Sequence, residues 1–92
     1  MNKIIMFYGK ECPHCHVTMK AVKKLEKDDK IEFELVEVWH SEKNQKRMKK
    51  FNGLLSESCG GMVVPAFIDE LKKRALCGEQ TYEDLKEWVN SK

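Results

Sequence analysis

Cys12-Pro13-His14-Cys15 is the stretch whose residue types and spacing can do chemistry. It follows the apolar run Ile4-Ile5-Met6-Phe7-Tyr8 and opens a segment of helical periodicity. Two cysteines two positions apart close a disulfide when a helix N-terminus turns them toward each other. The first then lies where backbone N–H groups and the helix dipole stabilise a thiolate. Pro13 suits the first helical turn, where its missing N–H costs nothing. The expected chemistry is thiol–disulfide exchange. Cys12 is the expected exposed nucleophile, and Cys15, on the apolar stripe, the shielded resolving thiol. His14 and Pro13 are expected to tune the Cys12 thiolate.

The same residues admit other readings. Cys12-Pro13-His14-Cys15-His16 fits the haem-attachment spacing C-x-x-C-H, with Met48 or Met62 as a distal ligand, but the strands around it argue against a helical haem cage. Zinc held by Cys12, Cys15, Cys59 and a histidine would need four groups converging as a tetrahedron. Cluster bridging between two copies is a third alternative. Each describes a metal- or iron–sulfur-binding carrier that uses the same thiols without turnover. The preferred reading has no bound metal and no resident cofactor.

The elements that must position the cysteines follow from periodicity. Ile4–Tyr8 reads as a buried parallel strand ended by Gly9. From Pro13 to about Lys27, Cys15, Met19, Val22 and Leu25 recur at helical spacing, and Asp28-Asp29 closes that helix. Ile31 to Leu35 alternates and, extended by Val36 and Val38, predicts a second strand with one wetter face. Ser41 is the expected N-cap of a helix carrying Met48 and Phe51 and stopped by Gly53. Residues 56–61 read as loop. Val63–Ile68 reads as a strand with Pro65 near its start, and Leu71–Cys77 as its hairpin partner. Thr81-Tyr82-Glu83-Asp84 is a capping box for a last helix with Tyr82, Leu85, Trp88 and Val89 on one stripe.

With that order of elements, the chain resembles the thioredoxin superfamily, most closely its small glutaredoxin-like members. The residues that carry the resemblance are Phe7 to Cys15, the Val63-Val64-Pro65 segment and Cys77-Gly78 before the final helix. It implies an α/β thioredoxin-like fold of the minimal glutaredoxin type, β-α-β-α-β-β-α, with a central four-stranded mixed sheet flanked by three helices. It also implies a cis bond before Pro65, with Pro65 against the cysteines and the Val64 backbone offered to substrate. Val63, Val64, Pro65 and Gly78 are the implied substrate-binding residues. The implied activity is reduction or exchange of protein or glutathione mixed disulfides. The reductant is left open between glutathione and a thioredoxin-reductase-like flavoenzyme.

Length and composition agree with one domain spanning residues 1–92. The hydrophobic fraction is 41 %, the charged fraction 35 % and the formal net charge +2. Lysines are interleaved with acidic residues, which reads as solvated helix faces and not as a nucleic-acid patch. No apolar run reaches the ~20 residues that span a bilayer, and the N-terminal segment lacks signal-peptide shape. The expectation is a cytoplasmic monomer. His16 and His40 are expected at the surface, and Trp39 and Trp88 in packing, with Trp39 near a substrate rim. Cys59 and Cys77 read as small buried hydrophobes, or else as a secondary regulatory or mixed-disulfide site.

Overall fold

The computed structural model describes residues 3–29 and 31–91. Four strands and four helices follow in the order β1 (Lys3–Tyr8), α1 (Pro13–Asp29), β2 (Glu32–Glu37), α2 (Glu42–Lys49), α3 (Asn52–Cys59), β3 (Ala66–Asp69), β4 (Arg74–Cys77) and α4 (Tyr82–Asn90). The sheet order is β2-β1-β3-β4. β1 runs parallel to β2, as a helical crossover through α1 requires. It runs antiparallel to β3, and β3 and β4 form the closing hairpin. The sheet is the expected four-stranded mixed one, and the architecture is a thioredoxin-like α/β fold.

Strand alternation divides the core into two layers. Ile4 and Met6 of β1 join Phe33 and Phe67 beneath α1 and α4, where Val22, Leu25, Leu85 and Val89 complete the packing. Ile5 and Phe7 face the other way, with Val36, Ala66 and Ile68, and meet Met48 of α2 and Leu55 of α3. Among the described residues, no helix is long and apolar enough to cross a membrane.

The helix count differs from the expected three. Gly53 does not stop a helix but lies in the first turn of α3. α2 ends one turn earlier, where Lys50 keeps right-handed helical geometry and the N–H groups of Lys50 and Phe51 bond the carbonyls of Arg47 and Met48. A left-handed residue is not needed at such an end. The chain then turns into α3, which buries Leu55 and packs Phe51 and Leu54 against the core. The left-handed glycine is Gly60, at φ 77°, and it caps α3. The 56–61 segment expected as loop is thus helical up to Cys59.

Two further boundaries move. The strand expected from Val63 begins at Ala66. Pro65 has no N–H to give to a ladder, so regular pairing with β1 starts at the Ala66–Phe7 register. The hairpin partner expected from Leu71 begins at Arg74, because residues 70–73 form the turn and Lys73 takes a positive φ of 50°. α1 ends at Asp29, within the Asp28-Asp29 pair expected to close it.

Candidate redox site

Cys12 and Cys15 are seated by a tight turn between β1 and α1. The Cys12 N–H donates to the Gly9 carbonyl (3.1 Å), and the Cys12 carbonyl accepts from the His16 N–H (3.1 Å). Within this turn the Cys15 N–H, an otherwise unpartnered donor at the head of α1, points at Cys12 Sγ at 3.3 Å. An N–H group aimed at sulfur stabilises negative charge there. Both cysteines are free thiols. Cys15 is shielded as expected, with 1 % of its surface accessible. Cys12 departs from expectation. It retains only 4 % accessibility, because the chain folds back at Gly9 and enters the helix at once.

The two sulfurs are unequal. Burial pushes the Cys15 thiol up to about 12, reinforced by its hydrogen bond and charge interaction with Cys12 and only partly offset by a backbone hydrogen bond at Gly9. At neutral pH Cys15 therefore holds its proton while Cys12 is unreacted.

Polar tethers from distant parts of the chain fix this turn. The Glu37 carboxylate accepts the N–H groups of Lys10 (2.9 Å), Trp39 (3.1 Å) and His40 (2.8 Å). His40 Nε2 lies 2.6 and 2.8 Å from the two carboxylate oxygens of Glu11. His16 Nε2 meets the Lys10 carbonyl at 2.7 Å. From the other side, Thr18 Oγ1 is fully buried and accepts the Gln80 N–H at 3.1 Å. The Gln80 side chain in turn donates to the carbonyls of Cys77 and Gly78. His14 Nδ1 sits 2.9 Å from Glu79 Oε1, so its hydrogen-bond partner is Glu79. Pro13 is the first residue of α1.

The Val64–Pro65 bond is cis. Continuing the β1–β3 register one step beyond Phe7–Ala66 places Pro65 beside Tyr8, at the end of β1 that leads into the Cys12 turn. The Pro65 carbonyl accepts the Gly78 N–H at 2.9 Å, which joins two of the expected substrate-binding residues. Val64 is half-buried and Val63 is 43 % exposed.

An apolar cavity of about 240 Å³ opens on the α2–α3 side. Val38, Trp39, Met48, Met62 and Val64 line it, with Gln45 and Lys49 at its polar part. Trp39 packs on one side only: 48 % of it is exposed. Its ring lies so close over Gly9 that a Cβ there would collide with the indole. Trp88 packs as expected, against Phe67 and the α1–α4 core layer.

Cys59 and Cys77 are not independent buried hydrophobes. They form a disulfide, with Cα atoms 6.1 Å apart. Cys59 packs with the α2–α3 layer, whereas α1 covers the opposite face of the sheet, so Cys59 does not join Cys12 and Cys15 in a ligand set. Among the described residues, no group of three or more His, Cys, Asp or Glu side chains is arranged to hold a metal ion.

Sequence reasoning missed Glu37, Thr18, Glu79 and Gln80, and placed His40 only at the surface. Two of these carry a faint signal: Thr18 is a hydroxyl on the buried stripe of α1, and Glu37 is an acid between two buried valines.

No family model matches the chain, and no curated protein matches it in sequence. Its fold does match solved structures. The glutaredoxin from Methanosarcina mazei Go1 superposes with a TM-score of 0.70 at 18 % identity, over 97 % of this chain and 79 % of that one. Methanosarcina acetivorans methanoredoxin superposes with a TM-score of 0.67 at 21 % identity, over 97 % of this chain and 85 % of that one. At these identities the likeness establishes the shared glutaredoxin-like fold.

Proposed function

We propose that this chain is a small thiol–disulfide oxidoreductase acting on protein or glutathione mixed disulfides. The observation that carries the proposal is the Cys15 N–H aimed at Cys12 Sγ at the head of α1, with the neutral Cys15 thiol one turn behind it. Cys12 thiolate attacks a substrate disulfide, forms a mixed disulfide and expels one substrate thiolate. Forming that bond removes the hydrogen bond and charge with which Cys12 reinforces the burial that keeps the Cys15 proton in place. The substrate thiolate expelled in the first step takes the Cys15 proton, and Cys15 attacks Cys12 Sγ and releases the second substrate thiolate. Two electrons pass to the substrate, and a Cys12–Cys15 disulfide remains. An external thiol, from glutathione or from a flavoenzyme-driven dithiol, restores the pair.

Val63, Val64, Pro65 and Gly78 form the proposed docking segment. The exposed Val63 and the Val64 backbone offer an extended peptide something to lie against, and the neighbouring apolar cavity offers a seat for a side chain. His14, tethered to Glu79, is the proposed polar neighbour of the reacting sulfurs.

The test is reduction of insulin disulfides and of a glutathionylated peptide, with glutathione and a flavoenzyme reductant compared in parallel. Turnover that is lost in Cys12→Ser supports the proposal. Absence of turnover with either reductant, together with stoichiometric zinc or iron in the purified protein, would replace it with a metal-carrier role.

A further inference from the structure

A second pair of sulfurs lies outside the chemistry assigned to Cys12 and Cys15. Cys59 ends α3, Cys77 ends β4, and a disulfide joins them. Both residues are half-buried, so an external thiol can approach. Cys77 is the register partner of Ala66, whose side chain belongs to the α2–α3 core layer, and Cys59 packs against the same layer. α1, with Cys15, covers the other face. The bridge and Cys15 thus lie on opposite faces of the sheet, which argues for two couples and not for a relay.

The bridge also holds a segment. Cys77 and Gly78, consecutive in sequence, anchor its two ends: Cys77 through the disulfide to Cys59, and Gly78 through the hydrogen bond to the Pro65 carbonyl. Between these anchors run Gly60 and Gly61, both at positive φ, and the exposed Met62 and Val63. Two glycines give the backbone a wide choice of conformations once an anchor is lost. Met62 and Val64 of this segment line the apolar cavity together with Trp39.

We propose that Cys59 and Cys77 form a second redox couple, independent of Cys12 and Cys15, whose disulfide holds the residue 60–64 wall of the apolar cavity and whose reduction releases it. The co-reactant is a dithiol. One thiolate of the dithiol attacks a bridge sulfur, the Cys59–Cys77 bond breaks, and the other cysteine leaves as a thiolate. The second thiol of the dithiol then displaces the first bridge sulfur. Two electrons and two protons end on Cys59 and Cys77, and the dithiol becomes a disulfide. Cys59 is the last residue of α3, where the unpaired carbonyl end of the helix disfavours a thiolate, so Cys77 is the better leaving group. That same helix end offers the reduced pair no N–H donor of the kind that the Cys15 N–H presents to Cys12 Sγ at the head of α1. The bridge is therefore the harder of the two couples to reduce.

The experiment uses the wild-type protein equilibrated in graded dithiothreitol buffers. Differential alkylation read peptide by peptide reports all four cysteines, and hydrogen exchange reports the backbone. The expected result is two transitions. Cys12 and Cys15 reduce first, Cys59 and Cys77 at a dithiol-to-disulfide ratio at least tenfold higher. Exchange over residues 60–64 accelerates at least tenfold in the second transition alone, with β1 and α1 unchanged. A single merged transition, or unchanged exchange over 60–64, would overturn the proposal. So would acceleration throughout β1 and α1, which would make the bridge a global staple. None of these readouts needs turnover, so failure of the oxidoreductase assay leaves them interpretable.

Discussion

His40 grips both carboxylate oxygens of Glu11, the residue immediately before Cys12. The side-chain hydrogen bond and then the charge of Glu11 raise His40 above its ordinary value, and Glu37 adds to the effect. For a histidine raised on folding, the stabilisation is fully present below the unfolded value of about 6.5. It is lost as pH rises through the higher folded value. Below that value the imidazolium neutralises Glu11 beside Cys12, and above it Glu11 stands uncompensated. His40→Ala should therefore slow alkylation of Cys12 at pH 6 by about two- to fivefold, the scale of an exposed ion pair. The effect should shrink as pH rises above the His40 transition. Rates for the wild type and His40→Ala, compared in a Cys15→Ser background, check this. A pH-independent deficit would point to lost packing instead.

Cys15→Ser should leave the attack of Cys12 on a substrate disulfide intact and trap the mixed disulfide, visible as a stable mass adduct. Cys12→Ser should show neither adduct nor turnover. Reduction of protein disulfides at the wild-type rate by Cys15→Ser would refute the two-thiol sequence.

Gly9→Ala forces the Trp39 indole off the turn, because the added methyl occupies the ring's place. The expected loss of stability is about 1–3 kcal/mol, as for other overpacked sites. Most of it should vanish in the Gly9→Ala/Trp39→Ala double variant, since the two residues share one contact. Urea unfolding of the four proteins in the cycle measures the coupling. Additive losses would mean that the indole yields at no cost.

Desolvation pushes the Glu37 carboxyl up, but the N–H groups of His40, Lys10 and Trp39 outweigh it, and its net shift is downward. A carboxylate lowered on folding stabilises above its unfolded value and loses that contribution as pH falls through its folded one. Glu37→Gln should remove the dependence of the Lys10–Trp39 bracket on carboxylate charge. In the wild type, exchange at the Lys10, Trp39 and His40 amides should rise, relative to β1 amides, as pH is lowered through the acid range. In Glu37→Gln that pH dependence should be absent. Identical profiles in the two proteins would show that Glu37 does not hold the turn.

Local signals made much of this molecule legible. A continuous apolar run gave β1 both of its faces, Cys15 fell on the buried stripe of α1, and Thr81 caps α4 by accepting the Asp84 N–H. The features that were missed depend on contacts between residues far apart in the chain. Glu37 reaches Lys10, Gln80 reaches Thr18 and Glu79 reaches His14, and nothing in the neighbouring residues announces such partners. α3 escaped because asparagine and glycine at its start look like a stop, while the Leu55 contact that stabilises it comes from the folded sheet. Cys59 and Cys77 read locally as small buried hydrophobes, and only the meeting of the end of α3 with the end of β4 shows their pairing.

The bond from the Gln80 N–H to Thr18 has a bearing on how the protein is made. Cys12 leaves the ribosome long before Gln80 does, yet its seat needs Gln80 to clamp α1 and β3 to flank β1. Pairings this distant in sequence form late, because their ends must first be brought together. At an elongation rate of roughly 5–20 residues per second, the nascent chain carries Cys12 for several seconds without the pocket that buries it. A cell making this protein meets Cys12 first as an ordinary, ungoverned thiol, and shielding it during that interval falls to the surroundings and not to the fold.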